Sequence, residues 1–87
     1  MKAKYSFEIM ELDDEMVAVP VGGEAEHFHG VIKVNETAAA ILQLLEEDTT
    51  EEKIVASLMK EYTGDKDEIA GYVHDFVSKM MSEGIVE

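Results

Sequence analysis

The chain has 87 residues, enough for one small domain that buries about 60 to 65% of its unfolded surface. Seven lysines, no arginine and 20 acidic residues give a formal net charge of −13, which disfavours nucleic acid and anionic membranes as partners. The chain has no cysteine, which excludes disulfides and thiolate chemistry, and no apolar run reaches the roughly 20 residues that span a bilayer. We therefore expect a single cytoplasmic domain over residues 1–87, without a signal peptide.

The first third of the chain predicts an antiparallel meander. Apolar and polar residues alternate over Tyr5–Ile9, and after the acidic cluster at 13–15 a second strand covers Met16–Val19. Pro20 cannot donate a hydrogen bond to a neighbouring strand, so the second strand is expected to end or bulge there.

A third strand, His27–Val34, leads directly into a helix. Alternation places Ile32 and Val34 on its buried face, which makes them core candidates. Asn35 is the predicted N-cap, because its side chain can accept a hydrogen bond from a free amide of the first turn. The apolar stripe that follows at helical spacing is Ala38, Ile41, Leu42 and Leu45.

The first helix is expected over Glu36–Glu47, and a second helix then begins at a capping box. Thr49 and Glu52 have the spacing at which a hydroxyl and a carboxylate cap each other's amides, and Gly64 is the predicted left-handed stop. The apolar stripe of the second helix is Ile54, Val55, Leu58, Met59 and Tyr62.

The third helix is predicted to be the longest. It begins at Asp65, with Glu68 at capping-box spacing, and it ends at Gly84 in a Schellman turn followed by apolar Ile85. Its apolar stripe is Ile69, Val73, Phe76, Val77 and Met80. Three strands followed by three helices predict an α+β domain, a three-stranded antiparallel sheet on a three-helix unit, which is the arrangement of a winged helix-turn-helix.

Chemical motifs are scarce. His27 and His29 could share a metal ion with Glu26 or Glu36, but a plain exposed strand surface is the interpretation we adopt. His74 has no nucleophile or pocket that can be assigned to it, and it is read as a surface or boundary residue. The sequence thus predicts no catalytic site, no metal and no cofactor.

The methionines have two interpretations. Met59 and Met80 lie at core spacing on the second and third helices, whereas Met81 lies off the main stripe. Tyr72, and in part Val77, also lie off that stripe, so the third helix is apolar over a wider arc than one small sheet covers. Such an apolar surplus favours a docking groove on this helix.

Three segments resemble one known family. They are the run Val31-x-Lys33-Val34-Asn35-Glu36-Thr37-Ala38-Ala39-x-Ile41-Leu42-Gln43-Leu44, the spacing Thr50-x-x-x-Ile54-x-x-x-Leu58, and the ending Val73-x-Asp75-Phe76-Val77 with Gly84-Ile85-Val86. They resemble the PqqD family, named for the small protein of pyrroloquinoline quinone biosynthesis. The likeness extends from about residue 16 to the end of the chain.

The resemblance implies a peptide chaperone, also called a RiPP recognition element, rather than an enzyme. In that family the leader part of a ribosomally made precursor adds as a strand to the sheet edge and lies between the third strand and the third helix. The precursor is thereby presented to a modifying enzyme, often a radical SAM protein. Such strand addition takes affinity from main-chain hydrogen bonds and specificity from alternate side chains.

The candidate peptide-binding residues come from the two walls of that cleft. They are His29, Gly30, Val31, Ile32 and Lys33 on the strand, and Tyr72, Phe76, Lys79 and Met80 on the helix. A purely structural role for Phe76 and Met80 is the alternative. The acidic surface suggests a leader or an enzyme with a complementary basic patch.

Two other functions remain open. A winged helix could bind DNA, but the charge has the wrong sign and arginine is absent. A non-catalytic docking subunit that binds folded protein instead of peptide is the stronger alternative. A second copy of the chain can also use an open sheet edge, which leaves a homodimer as an alternative to a monomer.

Overall fold

The computed structural model describes residues 1–21 and 31–87, and in them three strands precede three helices. The elements are β1 (Ser6–Leu12), β2 (Glu15–Val21), β3 (Ile32–Val34), α1 (Glu36–Leu44), α2 (Glu51–Glu61) and α3 (Lys66–Ser82). The strands form one antiparallel sheet in the order β1-β2-β3. The predicted α+β fold is confirmed, and this order is compatible with a winged helix-turn-helix.

The hairpin of β1 and β2 is longer than predicted. Leu12 pairs with Glu15 across a two-residue turn, in which Asp13 adopts φ 57°, a conformation that aspartate tolerates. β2 also continues past Pro20, so the predicted strand end was wrong. The described pairing of β2 with β3 reaches only Ala18. Pro20 lies beyond that pairing, so its lack of an amide donor is tolerated there.

The predicted third strand is described only in its second half. Residues 22–30 lie outside the described residues, Val31 precedes the strand, and β3 itself is Ile32–Val34. Ile32 and Val34 are half-buried and pack against the core, while Lys33 between them is exposed, as the alternation predicted.

The core lies between the helices and one face of the sheet. Phe7 and Ala18 contribute from β1 and β2, and the largest fully buried side chains come from the helices and the C-terminal turn. These are Ile41, Leu42, Leu45, Ile54, Leu58, Val73, Val77, Met80 and Ile85. Val17 is also buried but lies outside this cluster, because alternation points it to the other face, opposite Lys33.

Asn35 caps α1 as predicted, with its Oδ1 accepting from the Ala38 amide at 2.8 Å. The helix nevertheless ends at Leu44, three residues before the predicted end at Glu47. In a continued helix the Thr49 amide would bond to the Leu45 carbonyl. Here the Leu45 carbonyl accepts from Ala3, and the Thr49 amide donates to Met1. The N-terminal segment therefore replaces the last helical turn.

The same contact moves the cap of α2. Thr50, and not Thr49, is the N-cap, and its hydroxyl accepts from the Lys53 amide at 3.2 Å. The predicted capping box was wrong because the backbone of Thr49 is bonded to residue 1 on both sides. α2 then ends at Glu61 with Tyr62 extended, so Gly64 does not act as a left-handed stop.

Both predicted ends of α3 are confirmed at their capping residues. Asp65 is the N-cap, although its carboxylate accepts from the Asp67 amide at 2.7 Å and the reciprocal bond from Glu68 is not formed. At the other end Gly84 adopts φ 76°, and the Ile85 amide donates to the Met80 carbonyl at 2.9 Å. That six-to-one bond defines the predicted Schellman turn.

The two methionines predicted to lie in the core differ in burial. Met80 is 2% exposed and belongs to the core, as predicted, whereas Met59 is 37% exposed and was wrongly placed there. Val77, predicted to lie partly off the stripe, is 1% exposed and fully in the core.

The N-terminal segment also forms an ion pair. The Met1 ammonium group donates to Asp48 Oδ1 at 2.8 Å and to the Thr49 carbonyl at 2.9 Å. The hydrogen bond and the positive charge together hold the pKa of the Asp48 carboxyl below its usual value.

Candidate functional site

An open cleft of about 430 Å³ lies between β3 and α3. β3 is the last strand of the sheet, so one of its two edges has no partner strand among the described residues. The described residues that line the cleft are Val31, Ile32, Lys33, Lys79, Met80, Glu83 and Ile85. The cleft therefore has a strand edge on one side, a helix on the other and an apolar floor.

α3 runs antiparallel to β3 along this cleft. The Tyr72 hydroxyl donates to Asn35 Oδ1 at 3.2 Å, which places the first half of α3 beside the end of β3. Lys79, in the last turn of the helix, and Glu83, its C-cap, line the cleft together with Val31 and Ile32 at the start of β3. The long axis of the cleft is therefore parallel to a strand, which suits an extended chain.

Five of the nine predicted site residues meet in the cleft. They are Val31, Ile32, Lys33, Lys79 and Met80. Tyr72 lies at the far end, against Asn35, and Phe76 is half-buried and packs against the core between them. His29 and Gly30 lie outside the described residues.

Met80 has two roles that the sequence treated as alternatives. It is 2% exposed and part of the core, and yet it forms part of the cleft floor. Core packing fixes its position, so the floor is already formed before any ligand enters.

Glu83 and Ile85 were missed as cleft residues. The Schellman turn at Gly84 reverses the chain and brings Ile85 back under the cleft, where it is 1% exposed. The turn was predicted from the sequence, but which element Ile85 would contact depends on how α3 lies against the sheet.

Lys33 carries an ion pair on the outer side of the strand. Its Nζ lies 3.4 Å from Glu15 Oε1, and both side chains are largely exposed. A pair of this kind contributes about 0 to 1 kcal/mol to stability, so Lys33 can exchange Glu15 for another carboxylate at little cost.

A larger open cavity of about 820 Å³ lies elsewhere, between α2 and α3. Its floor is apolar, with Val55, Ala56, Met59 and Ala70, and Glu51 and Glu52 stand at one end. None of the three described strands lines it, so these strands offer no edge there for strand addition. Its size alone does not make it the better candidate for that function.

The histidines give no metal centre in the part of the chain that the structure describes, where no group of three metal-ligating side chains occurs. His27, His29 and Glu26 lie outside that part, so the interpretation of His27 and His29 stays a prediction. His74 is exposed, as predicted, with Nδ1 3.0 Å from Glu51 Oε1. No helix among the described residues combines the length and apolar composition needed to cross a membrane.

The fold and the cleft define a small α+β domain in which the edge of β3, unpaired among the described residues, lies beside a long helix. The family model for coenzyme PQQ synthesis protein D (PqqD) matches residues 15–86, nearly the whole chain. The chain belongs to the PqqD family, as the sequence motifs indicated.

Two solved structures share this fold. One is described as TbiB1 in complex with the TbiA(beta) leader peptide; it matches with a TM-score of 0.72 and 23% identity over 100% of this chain and 95% of that chain. The other is lasso peptide synthetase B1 complexed with the leader peptide, with a TM-score of 0.67 and 18% identity over 97% of this chain and 93% of that one. A search of the curated proteins finds no significant match.

Proposed function

We propose that the chain is a RiPP recognition element that binds the leader segment of a ribosomally made precursor peptide and presents it to a modifying enzyme. The observation that carries this proposal is the cleft between the β3 edge and α3, lined by five of the residues predicted to bind a leader. Membership of the PqqD family supports it, as do two proteins of the same fold whose structures contain leader peptides.

The mechanism we propose is strand addition. The leader pairs as a fourth strand with β3, and its main-chain amides and carbonyls bond to the open edge. Alternate leader side chains then point towards α3, onto Met80 and Ile85. A micromolar complex needs only about −8 kcal/mol, which a short strand with two or three apolar anchors can supply.

The proposal assigns binding and no chemistry to this chain. Catalysis belongs to a partner, a peptide-modifying enzyme that we expect to be of the radical SAM type. We place the complex in the cytoplasm, where ribosomal precursor peptides are released. Residues 1–87 act as one peptide-binding domain in this scheme.

A second copy of the chain is a less favourable ligand for the β3 edge. Each copy carries a formal net charge of −13, so two copies repel one another strongly, whereas a short peptide with one or two acidic residues is repelled much less. We therefore assign the edge to peptide, and expect sedimentation velocity to show a monomer at physiological salt.

The experiment that tests strand addition uses peptides selected from a display library of random twelve-residue sequences. The tightest binder is synthesised with backbone N-methyl groups on odd residues in one version and on even residues in the other. Only alternate amides face β3, so one version should lose at least tenfold in affinity while the other stays within about threefold of the parent. Equal affinity of the two versions would exclude strand addition.

The natural partners are found by capture from cells of the native host. Mass spectrometry of the captured material should recover a short precursor peptide together with a large enzyme. An enzyme recovered without any peptide would favour the docking-subunit alternative.

A further inference from the structure

We propose that the cleft between β3 and α3 selects acidic extended segments, with Lys33 and Lys79 as the residues that recognise the carboxylates. This inference rests on the proposed function and specifies the chemistry of the leader. It differs from what the overall charge suggests, because an acidic surface by itself favours a basic ligand.

The described lining of the cleft differs from the acidic charge of the whole chain. The chain has only seven lysines and no arginine against 20 acidic residues, yet one lysine stands on each wall of this cleft. Lys33 belongs to the strand, Lys79 belongs to the helix, and Glu83 is the one acidic residue among the described lining. The described lining of this cleft of about 430 Å³ thus has two lysines and one glutamate, with the Lys33 side chain on the outer side of the strand beside Glu15.

Both lysines are available to a ligand. Among the described residues no carboxylate lies within 4.0 Å of Lys79 Nζ. Lys33 pairs with Glu15 at 3.4 Å, but the two side chains are 78% and 62% exposed, and such a solvated pair opens readily. A carboxylate on an added strand competes for Lys33 from a fixed position, with less loss of side-chain freedom.

Strand geometry predicts the spacing in the ligand. Ile32 and Val34 point towards the core, and Lys33 points to the opposite side of the sheet, in register with Val17. In an added strand the residue beside Lys33 points the same way, and its two neighbours point towards α3. The segment that fits therefore reads apolar, acidic, apolar, with the carboxylate beside Lys33.

Lys79 acts from the other wall. It directly precedes Met80 on α3, so its ammonium group stands at the rim above the apolar floor. A carboxylate next to an apolar anchor of the ligand falls within its reach. The preferred leader thus carries one acidic residue for Lys33 and gains further from a second one for Lys79.

The test starts from the same display library and examines the selected binders for Asp and Glu. We expect an excess of acidic residues flanked by apolar ones, and an Asp→Asn change in the best binder should lower affinity about three- to tenfold at low salt. Lys33→Gln and Lys79→Gln should each reduce the difference in affinity between the Asp and Asn peptides. Lys60→Gln is the matched control, because Lys60 is an exposed lysine of α2 remote from the cleft, and it should leave the difference unchanged.

A charge reversal gives the sharper result. Lys79→Glu should turn the selection towards peptides with Lys or Arg, and circular dichroism checks that this exposed substitution leaves the fold intact. If the selected binders show no acidic enrichment and bind both lysine variants as tightly as the wild type, this inference is wrong. The proposed function is unaffected by that result. If the library yields no peptide whose affinity depends on N-methylation, both this inference and the proposed strand addition are wrong.

Discussion

Tyr72 and Asn35 are joined by a hydrogen bond of 3.2 Å that connects α3 to the junction between β3 and α1. The acceptor, Asn35 Oδ1, also accepts from the Ala38 amide at 2.8 Å, so one side-chain oxygen caps a helix and holds a second helix in place. This bond sets the position of α3 at one end of the cleft.

We expect the two substitutions at this bond to be coupled. Asn35→Ala should lower the free energy of unfolding by about 1 kcal/mol through loss of the cap, and Tyr72→Phe by about 0.5 kcal/mol. The double variant should cost no more than Asn35→Ala alone, since both changes remove the same bond. Urea denaturation measures all four proteins, and fully additive losses would show that the bond contributes nothing.

Two glycines of the C-terminal region should respond to alanine in opposite directions. Gly84 has φ 76°, so Gly84→Ala should destabilise by about 1 to 2 kcal/mol, although no atom lies within 4 Å of the new methyl group. Gly71 lies inside α3 and also has free space, so Gly71→Ala should stabilise by about 0.5 to 1 kcal/mol. Thermal denaturation distinguishes them, and a neutral Gly84→Ala would contradict the left-handed turn.

Val31→Pro should weaken peptide binding without unfolding the protein. Val31 is 55% exposed and precedes β3, so proline removes an amide donor from the edge that the leader would use. We expect at least a tenfold loss in affinity for a library-selected peptide, measured by fluorescence anisotropy. Val31→Ala keeps the amide and should lose much less; equal losses for the two variants would mean that the side chain, and not the backbone, makes the contact.

The methionines of α2 and α3 should differ strongly in their effect on stability. Met80→Ala removes a side chain that is 2% exposed and should cost about 2 to 5 kcal/mol. Met59→Ala acts on a side chain that is 37% exposed and should cost less than about 1 kcal/mol. Guanidinium denaturation gives both values, and similar costs would return Met59 to the core.

The ion pair between Asp48 and the Met1 ammonium group should make the stability of the protein depend on pH in the acid range. Because the pKa of Asp48 is lowered in the folded protein, its contribution to stability is present above the ordinary aspartate pKa and is lost as the pH falls through the folded value. Wild type should therefore have a higher thermal midpoint than Asp48→Asn at neutral pH, and the gap should close in strong acid. Acetylation of the Met1 amino group should remove most of the gap, while Glu47→Gln, in the same loop, controls for the loss of one surface charge. A gap that is the same at every pH would exclude the pair as its source.

Local sequence was sufficient for much of this fold. The Asn35 cap, the buried stripe of α1 and the Schellman turn at Gly84 all depend on neighbours within about one helical turn, and each is confirmed. Alternation in β3 likewise placed Ile32 and Val34 towards the core and Lys33 away from it.

The errors have long-range causes. α1 stops early and α2 is capped at Thr50 because Leu45 and Thr49 bond to residues 1 and 3, more than forty positions away in sequence. Met59 and Met80 each lie on the apolar stripe of their own helix in the sequence. Tertiary packing leaves Met59 37% exposed and buries Met80 to 2%.

The candidate site follows the same division. The sequence by itself determined the identity of the strand, the helix and five cleft residues, because periodicity and family motifs are encoded locally. Only the tertiary structure decided that α3 runs antiparallel to β3, that Glu83 and Ile85 enter the cleft, and that Lys33 and Lys79 both belong to its lining. Those facts depend on the angle at which a helix packs on a sheet, and that angle is set by the whole core.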